Sequence, residues 1–141
     1  NLTIGGANNT GSTTIKTNNT DAVTIDSSQN LQFNSGYGSV ATAYACRAWV
    51  NFNGTGTVAI RGSGNVSSIT DNGSGDYTIN FTTDMPDVNY SIVAMGGRSS
   101  TLKDQGYVLH HSLQVGNFTL ETTNTAASLV DYQQPTVAVF R

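Results

Sequence analysis

The sequence predicts an all-β protein, an antiparallel β-sandwich preceded by a short extended β segment. Three observations carry that expectation. Apolar residues alternate with polar ones at period two over most of the chain. Gly or Asn interrupts every few residues, and no stretch sustains a helical period. Charged residues make up only 11% of the 141 residues, against about 25% in ordinary domains, with Thr, Asn, Ser and Gly in their place.

Residues 1 to 36 read differently from the rest. The pairs Thr3-Ile4, Thr14-Ile15 and Thr24-Ile25 recur about every ten residues, each followed by turn-forming residues such as "TNNTD" and "DSSQN". One such strand cannot bury its apolar edge, whereas three chains around a common axis would point each isoleucine inward. The segment is therefore expected to be the shaft of a homotrimer; the competing reading is a flexible linker.

From Tyr44 onward the alternation is regular. In "CRAWVNF", Cys46, Ala48, Val50 and Phe52 share one face and Arg47, Trp49 and Asn51 the other. Cys46 is accordingly expected as a small buried hydrophobe. "NGTG" turns the chain into "TVAIR", "GSGN" at 62 to 65 turns it into "VSSIT", and the Asn-Gly of "DNGSGD" turns it into "YTINF", where Tyr77, Ile79 and Phe81 align. "NYSIVAM", "YVLHHSL", "NFTLETT" and "TVAVF" complete about eight strands. A single domain from 37 to 141, a sandwich or jelly-roll-like fold, accounts for them.

The composition excludes several classes. Net charge is -3 with no basic run, which argues against nucleic acid and against a polybasic membrane surface. No apolar run approaches the roughly 18 residues of a membrane span. The first residue is Asn rather than Met, and the chain is expected to be a C-terminal piece of something longer. The single cysteine rules out an internal disulfide and leaves no cysteine cluster for a metal. The hydrophobic fraction, 37%, is low for one domain, and association of identical chains is one remedy.

Candidate sites are few. Asp84 and Asp87 flank Pro86 in "TTDMPDVN". Pro86 fits a connection between strands, and the two carboxylates read as turn residues bonding nearby amides rather than as an acid/base pair. The segment from Gly96 to Gly116 concentrates Arg98, Lys103, Asp104 and Tyr107 with both histidines. Its loop, 97 to 106, is the candidate receptor-contacting element, against the alternative of an ordinary solvated hairpin. His110 and His111, adjacent on a strand, point to opposite faces and cannot chelate one ion; His111, in phase with Tyr107, Leu109 and Leu113, is expected to be partly buried with a hydrogen-bond partner. Three symmetry-related copies of one histidine on a trimer axis remain the only metal arrangement, and no cofactor is expected. Trp49 with Arg47 forms either a stacked sugar platform or a patch covered by a neighbouring chain. Tyr132 is open to the same two readings.

The order of signals supplies a resemblance. A strand ending in Phe81, the Pro86-x-Val88 connection, the strand through Ile92 to Met95, "GNFTLE" and the closing "PTVAVF" together resemble the H-type lectin-like sandwich of phage tail-fiber tips. The run "YACRAWVNFNGTGTVAIRGSGNVSSITDNGSGDYTINFTTDMPDVNYSIV", Tyr44 to Val93, is similar to a C-terminal domain recurrent in structural proteins of marine and cyanobacterial tailed phages. The preceding "AVTIDSSQNLQF" is similar to the shaft-to-tip segment of such fibers. The resemblance implies a homotrimeric virion appendage that meets a host-surface glycan or other outer-membrane receptor, without enzymatic activity and without membrane insertion. The alternative it leaves is a purely structural trimerisation knob or decoration module. It carries no sugar-binding residue over to this chain.

Overall fold

A computed structural model of the chain describes residues 11–34, 40–97 and 107–141. Among these residues every regular element is a strand, in three antiparallel sheets. Backbone contacts separate a first unit ending at Tyr44 from a second, Ala45–Arg141.

In the first unit β1 (Thr13–Thr17), β2 (Thr20–Ile25), β3 (Leu31–Phe33) and β4 (Ala41–Thr42) form a meander in chain order. The ten-residue spacing of Thr14-Ile15 and Thr24-Ile25 is therefore one strand, one turn and the return strand. Asn18 and Asn19 make that turn with φ of 49° and 60°, a left-handed conformation that Asn tolerates better than most residues. Thr3-Ile4 lies outside the described residues. At the next turn the Asp26 carboxylate accepts the Ser28 and Asn30 amides, each at 2.9 Å, and the Gln32 side-chain amide at 3.0 Å. The Asn30 backbone amide first, then the Asn30 side chain and the Ser28 amide, hold Asp26 below the usual carboxylate range.

Register decides which side chains share a face. Ile15 stands opposite Val23, Val23 opposite Phe33, Phe33 opposite Ala41, and Ile25 opposite Leu31. Cross-strand partners project to the same side, so all the large apolar residues of this sheet lie on one face. Thr14, Thr24, Gln32 and Thr42 take the other, which explains the Thr-Ile pairs of the sequence.

The second unit is a β-sandwich of two four-stranded sheets. One has the order β6 (Ala59–Gly64), β5 (Cys46–Asn53), β12 (Gln134–Phe140), β9 (Ser91–Gly97). The other has the order β10 (Val108–His111), β11 (Asn117–Thr122), β8 (Asp76–Phe81), β7 (Val66–Gly73). Alternate residues of the central strands meet in the core: Ala48, Val50, Phe52, Val137 and Val139 from the first sheet, Tyr77, Ile79, Phe81, Phe118 and Leu120 from the second. Phe52 and Tyr77 join the layers edge to face with centroids 5.1 Å apart. At the other end Phe81, Tyr90 and Phe118 make a second ring cluster.

Four local expectations need correction. Cys46 is exposed, not buried. Val139 pairs with Ala48 but Phe140 pairs with Cys46, so Arg47 is an extra residue in β5, and this bulge takes Cys46 out of the inward phase. The segment at 62 to 65 is not a hairpin turn: β6 and β7 belong to different sheets, and the chain passes between them at Asn65, whose φ is 55°. Asn65 fixes this corner by accepting the Thr83 amide at 2.8 Å and donating to the Thr83 carbonyl at 3.0 Å. The hairpin after β7 turns at Ser74 and Gly75 rather than at Asn72-Gly73. Gly75 has φ 68°, and a Cβ there would lie 2.5 Å from the Thr122 carbonyl oxygen.

The fourth correction concerns β10. Val108 and Leu113 pack on the core, while Tyr107, Leu109, His110 and His111 are exposed. The strand ends at His111, and Ser112 adopts φ 51°, which reverses the phase that would have put Leu109 and His111 with Leu113. His111 does have partners: Ser112 Oγ at 2.8 Å from Nδ1 and Glu121 Oε1 at 3.3 Å from Nε2.

Candidate functional site

The connection that follows β8 holds the two carboxylates in separate roles. Met85 is buried, its amide donating to the Val115 carbonyl at 2.8 Å, and this pins the loop to the segment before β11. Asp84 lies over Gly116, with Oδ1 3.2 Å from where a Cβ on that glycine would be. Asp87 accepts the Asn89 amide at 2.8 Å and pairs with Arg141, whose Nε is 3.0 Å from Oδ1. The Arg141 guanidinium, with help from the Asn89 amide, holds the Asp87 carboxyl below its usual range. Both oxygens of Asp87 are thus engaged in closing a turn onto the end of β12.

Of the predicted receptor-contacting residues, Arg98, Lys103 and Asp104 lie outside the described residues. Tyr107 stands at the exit of their loop. Its backbone is tied to Thr123 in both directions, amide to Oγ1 at 2.9 Å and carbonyl to amide at 2.9 Å, while its ring is exposed. The edge strands of the two sheets, β9 and β10, flank a cleft of about 330 Å³ whose lining includes Met95, Gly96, Tyr107, Leu109 and Tyr132.

The back of this cleft is closely packed. A Cβ on Gly96 would sit 2.0 Å from the Tyr132 ring, so the aromatic face rests directly on the strand backbone. Tyr132 is buried and donates to the Thr123 carbonyl at 2.5 Å. The lining carries hydroxyls and apolar surface, with no carboxylate or histidine among the described residues. Such a surface can hold a ligand by stacking and hydrogen bonding. Among the described residues no group of three His, Cys, Asp or Glu side chains is placed to hold a metal ion. No described helix is long and apolar enough to cross a membrane.

Around the corner from the cleft, the outward face of the β6-β5-β12-β9 sheet is open. Register sets Trp49 beside Ala138 and Val93, and Asn51 beside Thr136 and Met95. Met95, 68% exposed, belongs to both the cleft and this face. None of the four strands contains an Asp or Glu. Arg61 is committed elsewhere, to the Phe52 carbonyl at 2.7 Å and the Gln133 carbonyl at 2.5 Å.

Sequence reasoning singled out Trp49 and Tyr107 but missed Met95, Gly96 and the glycines beside Trp49. Alternation does signal that residues 93 and 95 face outward; which strand they lie against is a pairing of distant segments, and nothing local to them encodes it. In comparisons with known proteins, no family model, curated protein or solved structure matches the chain.

Proposed function

We propose that this chain is the tip region of a tailed-phage tail fiber, a homotrimer carried on the virion, whose sandwich attaches to the host cell surface without enzymatic activity. The observation that carries the reading is the sheet of the first unit, which forms one layer among the described residues. Ile15, Ile25, Leu31 and Phe33 are 39–55% exposed on one face of it. A sheet that is apolar on one face needs a second layer. Three copies meeting face to face around an axis supply that layer, and the resemblance of this segment to a fiber's shaft-to-tip region supports the same arrangement. The finer fold assignment, a jelly-roll or H-type lectin-like sandwich, belongs to this proposal and is supported by two four-stranded antiparallel sheets.

The attachment role is supported by an exposed aromatic and aliphatic surface in a domain poor in charge, running from Trp49 and Val93 through Met95 to Tyr107. The second reading, a structural knob or decoration module, is favoured by that same surface if neighbouring chains cover it. Light scattering on the 14.8 kDa chain tests the assembly, with three chain masses expected and a monomer overturning it. Adsorption of the labelled protein to bacterial envelopes separates the two roles. Retention on some strains and not others supports attachment, and retention on none supports the knob.

A further inference from the structure

Trp49 is held in an unusual way for an exposed indole. Asn51 and Trp49 of β5 stand opposite Gly62 and Gly64 of β6. A Cβ on Gly64 would meet the indole Nε1 at 2.4 Å, and one on Gly62 would meet Cη2 at 3.3 Å. The indole therefore reaches across both glycines and rests on their bare backbone, with any larger residue at 64 forcing it away. Still, 47% of Trp49 is exposed. One face of the ring has a floor and the other faces outward, fixed in place without the side-chain ordering cost that a mobile tryptophan would incur on binding.

The surroundings select among ligands. One register step from the indole lie Asn51 and Thr136, a carboxamide and a hydroxyl. Neither the Asn51 carboxamide nor the Arg47 guanidinium is engaged by another side chain among the described residues. The Thr136 hydroxyl donates to the Met95 carbonyl at 3.3 Å and keeps its lone pairs to accept from a ligand. A planar apolar surface bordered by a carboxamide and an accepting hydroxyl, on a sheet without carboxylates, suits a ring that is apolar on its faces and hydroxylated at its edge. Asn51 lies two residues along β5 from Trp49, about 6.5–7 Å away at about 3.3 Å per residue, so an edge hydroxyl of a ring stacked on the indole comes within a hydrogen bond of about 2.8 Å of a side chain there. A hydrophobic protein partner would leave Asn51 and Arg47 unpaired at its centre, at a desolvation cost.

We propose that Trp49, on its glycine floor, is a stacking subsite for a pyranose ring of a glycan, with Asn51 and Thr136 bonding its hydroxyls. The attachment reading supplies the source of the glycan, and to that extent the subsite rests on it.

Trp49 is the single tryptophan of the chain, so its fluorescence reports the site directly. The intact chain is titrated with chito-, cello- and malto-oligosaccharides and with purified bacterial lipopolysaccharide. A saturable intensity change with at least one is expected. Trp49→Phe should weaken the same interaction severalfold and Trp49→Ala at least tenfold, both measured by calorimetry. Gly64→Val should weaken it comparably by displacing the ring. Should that variant fail to fold, Gly62→Ala, which meets only the ring edge, and Asn51→Ala serve in its place. No response to any probe at millimolar concentration overturns the subsite. So does acrylamide quenching that is low and rises only when the protein is diluted to dissociation, because Trp49 is then covered by another copy. Envelope adsorption undiminished by Trp49→Ala rejects the subsite and leaves the attachment reading standing. Sugar binding at Trp49 with no adsorption to any envelope does the reverse.

Discussion

The Tyr77 hydroxyl lies 3.0 Å from Oδ1 of Asp131, 54 positions away in sequence. The Gly75 amide donates to the same oxygen at 2.7 Å, and the Gly54 carbonyl lies 2.9 Å from the hydroxyl. One buried phenol thus ties together the loop after β5, the hairpin between β7 and β8, and the segment leading into β12. Burial, then the Asp131 carboxylate, push the phenol well above its ordinary value.

Tyr77→Phe should destabilise the second unit by about 1–2 kcal/mol at neutral pH, since it leaves Asp131 short of a donor. Its pH dependence has a definite sign. A phenol raised in the fold contributes full stability below the unfolded value of about 10 and loses it as pH climbs past that point. Urea unfolding at pH 8 and pH 10.5 should show a loss in the parent that is smaller in the Phe variant.

The Asp87 to Arg141 pair titrates at the other extreme. A lowered carboxyl contributes stability above its unfolded value and loses it as pH falls through the folded one, so the effect is confined to acid below about pH 4. Arg141→Ala should lower Tm slightly at pH 7. The difference should shrink by calorimetry as pH is lowered below about 4 and Asp87 takes up its proton.

Gly96→Ala tests the back wall of the cleft. The added methyl meets the Tyr132 ring, and overpacking of this kind costs about 1–3 kcal/mol. Denaturant midpoints should fall accordingly, and exposure of Tyr132 should appear in its absorbance. An unchanged midpoint would mean that the ring does not rest on β9.

Cys46 gives a quick check on the bulge in β5. As an exposed residue it should react with a bulky thiol reagent in the native state, at a rate unaffected by mild denaturant. A Cys46 in the inward phase would react only on unfolding.

Ile15→Asp together with Phe33→Asp places charges in the apolar face of the first sheet. The trimer proposal expects the particle mass to drop to that of one chain by light scattering. The Tm of the sandwich should hold, because its core contains neither residue.

The strands of the sandwich were legible because each central strand buries one face only. The alternation in Tyr77-Ile79-Phe81 and in Ala48-Val50-Phe52 is a direct print of that geometry. What alternation cannot carry is a change of phase. The extra residue at Arg47, the left-handed Ser112 and the sheet crossing at Asn65 are backbone events; the first two reversed inferences drawn from hydrophobic pattern, and the third one drawn from turn residues. Of the candidate site, Tyr107 and Trp49 were visible as aromatics in polar surroundings. The glycines that seat Trp49 looked like turn residues, since their purpose shows only once β5 is laid beside β6.

The pairing of β5 with β12, the first and last strands of the sandwich, has a mechanical consequence. The chain enters at Cys46, which is in register with Phe140, and β5 is bonded along both edges, to β6 and to β12. Tension directed along β5 would be shared in shear by the backbone bonds on both flanks instead of opening them one after another. The strand that carries Trp49 is thus bonded on both flanks, and a load along it falls on both sets of bonds at once.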